Sequence, residues 1–278
     1  MKILSTAILS LLIALPFFGQ ELPTKSPKGA ISQRVGLTDI EIDYSRPSVR
    51  ERKIFGELVP YGEVWRFGAN EPTKIRISRD IKVANQDLKK GTYAMFLIPK
   101  MEEYWTLVFN TDTAQWGAGS YDESKNVATV SVLMQEVTFT ETMSLNFTQV
   151  GYDEAFLNFA WAEQGFGIRI NVDTDVAAEE NINAAIEKGE DLARVYYYAA
   201  DFYMKQKEDL ETAMANINKS IKLKEYYANV FQKAQILKRS GKDKDAIKTA
   251  EKAHKLALEA EKEGWANYIK GTIEEWSK

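Results

Sequence analysis

The chain has 278 residues, no cysteine, one histidine and a formal net charge of -4. A hydrophobic fraction of 45% with 12% aromatic residues excludes a disordered chain, and the length leaves room for one or two cored domains. A single histidine, His254, excludes Ser-His-Asp and Cys-His nucleophile systems and zinc sites built on His and Cys.

Residues 1–20 read as a secretory signal peptide: Lys2, then an apolar run from Ile3 to Phe18, with cleavage expected near Gly19 or Gln20. The run is too short to span a bilayer, which takes about 20 apolar residues. No later run is long enough either, so no membrane span is expected after cleavage. The expected location is secreted or periplasmic, and without disulfides the core alone must hold the protein there.

From Ala30 to about Val172 the apolar period is two. Ile40, Ile42 and Tyr44 alternate with Glu41 and Asp43, Ile75 and Ile77 with Lys74 and Arg76, Leu145 and Phe147 with Asn146 and Thr148, and Ile168, Ile170 and Val172 with Arg169 and Asn171. Such segments are strands with one wet face. Tyr93 to Ile98 and Tyr104 to Phe109 are apolar on both faces and should be central strands. Turn signals at Asn85-Gln86-Asp87, Lys90-Gly91, Pro99-Lys100, Gly117-Ala118-Gly119 and Gln164-Gly165 separate about nine strands. The pattern predicts an antiparallel β-sandwich or flattened barrel over residues 26–173.

Within this half, Tyr44 to Thr73 fits neither period. It holds three prolines, and seven of the ten arginines of the chain fall between Arg34 and Arg79. It reads as an ordered, proline-stiffened loop, the kind of segment on which sites are built. Arginine forms planar bidentate contacts with carboxylate or phosphate. The local acids Glu51, Glu57, Glu63 and Glu71 are the alternative partners, which would simply pin the loop down.

After Asp173 the period becomes 3.6. Helices are expected around Ile182 and Tyr196, then over about Leu210 to Leu223, Tyr226 to Arg239, Asp243 to Glu259 and Trp265 to Trp276, with Gly189, Gly241 and Gly264 at helix C-termini. Ala200 and Ala234 are 34 residues apart, as are Tyr203 and Leu237; Ala234, Leu237, Gly241, Ala246, Ala250 and Ala253 fall at the small, large and turn positions of a tetratricopeptide repeat. Residues 175–278 therefore read as a tetratricopeptide-like α-helical domain, with a plain helical bundle as the alternative, and the whole as an α+β multidomain chain. With 18 basic and 19 acidic residues from Asp175 onward there is no basic stripe, and nucleic acid is not an expected partner.

The stretches Tyr44-Ser-Arg-Pro47, Gly56 to Thr73, Gly91 to Pro99, Gln115 to Ala118 and Tyr121-Asp122 strongly resemble domain-of-unknown-function family 2911, found in secreted bacterial proteins. The resemblance covers about Ser26 to Val172. It implies a compact β-domain, often secreted and sometimes followed by tetratricopeptide-like repeats, and brings no established reaction. Its recurrent residues match Tyr44, Arg46, Pro47, Trp65, Arg66, Gly68, Ala69, Asn70 and Thr73; Phe67 stands where a threonine is common.

The expected function is a non-catalytic binding module. Arg46, Arg66, Asn70, Trp116 and Tyr121 would line a shallow pocket for an anionic or sugar-like ligand, with a protein partner on the helical repeats. No cofactor and no metal are called for: Gly117 and Gly119 precede no lysine-Ser/Thr pair, and Asp122, Glu123 and Asn126 read as a solvated turn before a calcium site. Two alternatives stand beside it. One is a glycan hydrolase using two of Asp43, Glu57, Glu63, Glu71, Asp112, Asp122 and Glu123, which needs a carboxylate pair about 5 to 9.5 Å apart in a cleft. The other is an envelope scaffold that recruits a partner through its repeats.

Overall fold

The computed structural model describes residues 23–278, so the expected signal peptide lies outside the described residues. The β-half is ten strands in two antiparallel sheets, stacked in a sandwich-like arrangement. The first sheet contains β1 (Lys28–Val35), β2 (Thr38–Ser45), β3 (Thr73–Ile77), β6 (Gly91–Ile98), β7 (Tyr104–Asn110) and β8 (Asn126–Leu133), in that spatial order. The second is ordered β5 (Gln86–Leu88), β4 (Ile81–Val83), β10 (Glu154–Val172) and β9 (Gln135–Thr148).

Period-two patterning gives each sheet its inner face. Ile40, Ile42, Ile75, Ile77, Met95, Leu97, Leu107 and Phe109 of the first sheet meet Leu145, Leu157, Phe159, Trp161, Ile168 and Ile170 of the second, all buried. Aromatic rings dominate one end of this core: Trp65 stacks on Trp161 at 5.4 Å and Phe67 on Phe166 at 6.0 Å. β6 and β7 are internal strands, as their two-sided apolarity predicts. Their second face is covered too: Ala94, Phe96 and Val108 are buried beneath Val64, Ile98 and Tyr121.

Two turn expectations need correction. Gln164-Gly165 is not a turn. β10 runs through it for 19 residues, and the irregularity is absorbed as bulges around Ala162, whose φ is +54°. A Cβ on Gly165 would lie 2.6 Å from the Phe159 carbonyl oxygen, so the glycine serves a close approach of backbone, not a reversal. The β4–β5 reversal is a two-residue turn at Ala84 and Asn85, both left-handed, leaving Gln86 and Asp87 inside β5.

Six helices follow: α1 (Thr174–Lys188), α2 (Leu192–Lys205), α3 (Leu210–Leu223), α4 (Tyr227–Arg239), α5 (Asp243–Glu259) and α6 (Glu263–Trp276). Gly189 and Gly241 take the left-handed conformation that ends α1 and α4. Gly264 does not end a helix: it sits in the first turn of α6, and Glu261, with φ +54°, takes the left-handed position after α5. Small residues let the helices approach closely: Ala200, Ala213, Ala234, Ala246, Ala250 and Ala253 are fully buried. α1 leaves the sandwich at a fitted joint. Asp173 caps it by accepting from Val176 N, and Thr174 Oγ1 donates to the Tyr152 carbonyl at 2.6 Å. No helix among the described residues is long and apolar enough to cross a membrane.

Candidate functional site

The segment between β2 and β3 is irregular but anchored along its length. Pro47 O accepts from Met143 N, Val49 N donates to Glu141 O, and Ser48 bridges to Thr142, so its first part lies along β9. Trp65 exchanges two backbone hydrogen bonds with Leu97, at 2.9 and 2.8 Å, and so pairs with β6 beyond the end of β3. Side chains alternate across such a bridge. Trp65 therefore enters the main core, while Val64 joins the cluster on the opposite face and Arg66 follows it to that side.

Most of the distinctive residues act as joints. Tyr44 OH accepts from Leu145 N at 3.2 Å, Trp65 Nε1 donates to Gly68 O at 2.9 Å, and Thr73 Oγ1 donates to Phe67 O. Arg46 Nε donates to Met143 O at 3.0 Å. Asn70, at φ +60°, donates to Ser26 O and Ser45 Oγ at 3.3 and 3.2 Å. Phe67 holds φ +49° while fully buried against Trp65, Phe159 and Phe166; its ring fills the core, which accounts for an apolar residue at that position. Left-handed backbone at a bulky residue is held only where the surroundings over-determine it.

The arginines do not pair with the local acids. Arg50 donates to Lys25 O, and Arg52 to Ser48 O and Val49 O, so carbonyls hold them. The acids take lysines instead: Glu57 with Lys53 at 3.4 Å and Glu71 with Lys74 at 3.0 Å. The Lys74 hydrogen bond holds the Glu71 carboxyl below its ordinary range.

Arg66 is the exception. No carboxylate lies within ion-pair distance of it among the described residues, and its Nε is buried with no hydrogen-bond partner. It lines a recess of about 160 Å³ with Pro60, Glu63, Val64, Trp65 and Ala118. Over it lies the β7–β8 connection. A side chain on Gly117 would come 3.6 Å from Arg66 Nη1, so the backbone at this left-handed glycine passes close to the guanidinium.

That connection is braced at both ends. Asp112 pairs with Lys125 at 2.7 Å, and this hydrogen bond keeps the Asp112 carboxyl below its ordinary range. Buried Asn110 donates to Asp122 O and to Asn126 Oδ1, and Asp122 caps a single 3-10 turn at Glu123–Lys125 through Ser124. Tyr121 packs edge-on against Phe96 at 5.0 Å, and its hydroxyl accepts from Asn126 Nδ2 at 2.7 Å. Trp116 is 72% exposed.

The five expected site residues thus do not share one neighbourhood. Only Arg66 of the five lines the recess; Tyr121 packs on the outer face of β6, and Trp116 is exposed on the β7–β8 connection. Arg46 and Asn70 belong to the end of β2 and donate to acceptors inside the protein; neither lines the Arg66 recess. Gln115 was not among the expected residues, although its amide is buried, donates to Asp112 O and leaves Oε1 without a partner. A polar residue just before an exposed tryptophan is a faint signal, and nothing in the local sequence distinguishes it. No group of three or more His, Cys, Asp or Glu side chains able to hold a metal occurs among the described residues.

Residues 26–170 match the family described as "Protein of unknown function (DUF2911)". The chain belongs to this family. The match covers the sandwich to within two residues of the end of β10 and stops before the helices. No curated protein matches the chain. No solved structure matches it. The family brings the β-fold and its motif residues, with no reaction attached.

Proposed function

We infer that this is an exported, non-catalytic binding protein, with residues 26–173 as the ligand domain and 175–278 as a helical repeat domain for a protein partner. The ligand presents an anionic group to Arg66 beneath the loop that carries Trp116. Arg46 and Asn70 hold the segment in place, and Tyr121 props the loop.

One observation carries this reading: the unpaired Arg66, whose Nε is buried without an acceptor. Arg66 is half-buried, and its Nε is cut off from solvent without a partner; a buried polar atom calls for one, and an anionic ligand meets a guanidinium with a fork-shaped contact. The leader-like residues 1–20 support export. In the tail, Tyr197, Phe231 and Trp265 recur at a spacing of 34 residues, and the buried alanines fall at the close-packing positions of a tetratricopeptide array.

The hydrolase alternative has less behind it. Glu57, Glu71 and Asp112 are paired with lysines, Asp122 caps a turn, and Glu63 lines the recess with no cation paired to it among the described residues. A scaffold reading keeps the helical surface and leaves Arg66 unexplained.

Thermal shift with small carboxylates at constant ionic strength tests the proposal. The melting temperature of the wild type should rise with anion concentration, following the linkage of binding to stability, and that of Arg66→Ala should not. Equal responses from the two proteins would reject the site.

A further inference from the structure

α6 has one covered face and one bare one. It packs against α4 and α5 through buried Ala266 and Ile269. Its other side carries Gly264, Tyr268, Gly271 and Glu275, spaced four, three and four residues apart and so aligned in one stripe. Trp265 and Thr272 run beside them. The matching positions one repeat earlier are closed off. Phe231, 34 residues before Trp265, is 2% exposed, and Ala234, 34 before Tyr268, is fully buried in one cluster with Ala250 and Ala253 of α5. Trp265 is 37% exposed and Tyr268 57%.

This face fits a second copy of itself in shape and in charge. A Cβ on Gly264 or on Gly271 would meet nothing within 4 Å, so an opening lies one turn to either side of the Tyr268 ring. Gly264, Trp265 and Tyr268 line a groove of about 370 Å³ together with Lys262. In an antiparallel pair with its two-fold axis beside Tyr268, each Trp265 comes opposite the partner's Gly271, large against small. A helix packed as closely as α3 or α5 needs a small residue at the contact, as Ala200 and Ala234 provide; Tyr268 stands at that position in α6.

The charges choose the direction. Lys262 marks the N-terminal end of the stripe and Glu275 the C-terminal end, and neither has an ion-pair partner among the described residues. A helix carries partial positive charge at its N-terminus and negative at its C-terminus. Lys262, and Glu274 and Glu275 in a last turn without a basic residue, therefore have the wrong sign for α6 itself, against Glu263 with the right one. An antiparallel neighbour turns both misfits into attractions: Lys262 reaches the partner's Glu275 and helix C-terminus, and the reverse contact follows by symmetry.

We propose that the bare face of α6 is a homodimer interface, in which a second copy of this chain lays its own α6 antiparallel across a two-fold axis at Tyr268. This rests on the reading of the helical tail as a partner-binding domain and names the partner as the chain itself; it is independent of the Arg66 recess. α6 has 14 residues and is roughly 21 Å long, so the contact is small and the dimer is weak and concentration-dependent.

Sedimentation velocity on the chain lacking residues 1–20, from about 1 to 500 µM, tests this. The wild type should pass from monomer to dimer with a Kd on the order of tens of µM, as a small interface allows. Tyr268→Asp puts two like charges at the axis and should leave only monomer, with an unchanged melting temperature at low concentration. Lys262→Glu and Glu275→Lys should each weaken the dimer about tenfold, and an equimolar mixture of the two should recover it as a heterodimer. Should Tyr268→Asp fail to fold, the charge-reversal mixture decides. A wild type that stays monomeric throughout would overturn the homodimer, leaving a different protein as the partner of the tail. A dimer unaffected by Tyr268→Asp would place the interface elsewhere and overturn it equally. Loss in Tyr268→Asp without recovery in the mixture would overturn the antiparallel arrangement. The anion response of Arg66 should be the same in Tyr268→Asp as in the wild type, so failure of the dimer and failure of that site are read separately.

Discussion

Two stretches of one segment use arginine in opposite ways. Near the end of β2, Arg46 gives Nε to the Met143 carbonyl, and Asn70 ties the far end of the segment back to Ser26 and Ser45. Beside the end of β6, Arg66 meets neither a carbonyl nor a carboxylate among the described residues, and its Nε is buried and unanswered. Residue type and composition are the same; the difference lies in which backbone groups come within reach. The same side chain fastens the fold where it finds free carbonyls and stays available to a ligand where it finds none. An arginine-rich loop is therefore not a site as a whole, and the bonded arginines mark its scaffold.

The sharpest way to break this contrast is at the joint between the two stretches. Gly68 has φ +158°, and a Cβ there would sit 3.0 Å from the Ser45 carbonyl oxygen and 3.2 Å from Thr73 Oγ1. Gly68→Ala should lower unfolding free energy by about 2 kcal/mol, since backbone has to move; a shift in the urea midpoint under 0.2 M would show that the joint is not tight.

Next in size is the fastened end. Arg46→Ala removes a charge-assisted bond to a part-buried carbonyl and should cost about 1.5 kcal/mol in chemical denaturation. Asn70→Ala should cost about 1 kcal/mol, and Asn70→Gly less, because glycine keeps the left-handed backbone while losing the donors. An Asn70→Gly variant as unstable as Asn70→Ala would mean that the side-chain bonds, not the conformation, are what matters there.

Arg66→Ala should differ from both. With no partner to orphan, it should stay within about 0.5 kcal/mol of wild type in stability while losing the anion response. A destabilisation matching that of Arg46→Ala would erase the distinction between the two arginines.

The smallest expected effect concerns pH. Asp112, which braces the loop over Arg66, has its folded pKa lowered below the ordinary 3.8 by the Lys125 hydrogen bond. A depressed carboxyl contributes stability that is fully present above its unfolded pKa and lost as pH falls through the folded one. The Asp112 contribution to loop anchoring should hold from neutral pH down to about 4 and fade only below 3.8. Trp116 fluorescence compared between wild type and Asp112→Asn reads this out: the two should differ at neutral pH and converge in acid, and convergence already at pH 6 would assign the brace elsewhere.

Much of the fold was legible because it follows local periodicity. α3 and α5 occupy the spans that their apolar spacing predicts, and the two-sided apolarity of β6 and β7 marked them as internal. Misreadings came where one residue type serves two purposes. Gly165 looked like a turn and is a close-approach position inside a long strand; Gly264 looked like a helix end and lies in a helix start. Glycine reports backbone freedom or missing bulk, and local sequence does not say which.

The site was legible only in part, for a related reason. Arg66 and Trp116 were visible by type, and Gln115 was not, because a glutamine becomes informative only when burial strips it of water. Sequence alone was enough to place the sandwich, the helical tail and the loop, since hydrophobic period and turn chemistry act over a few residues, and its motif residues pointed to the family. Only the tertiary structure divided Arg46 from Arg66 and revealed Gln115, since carbonyls contributed by distant strands determine which polar groups are satisfied and which are left over.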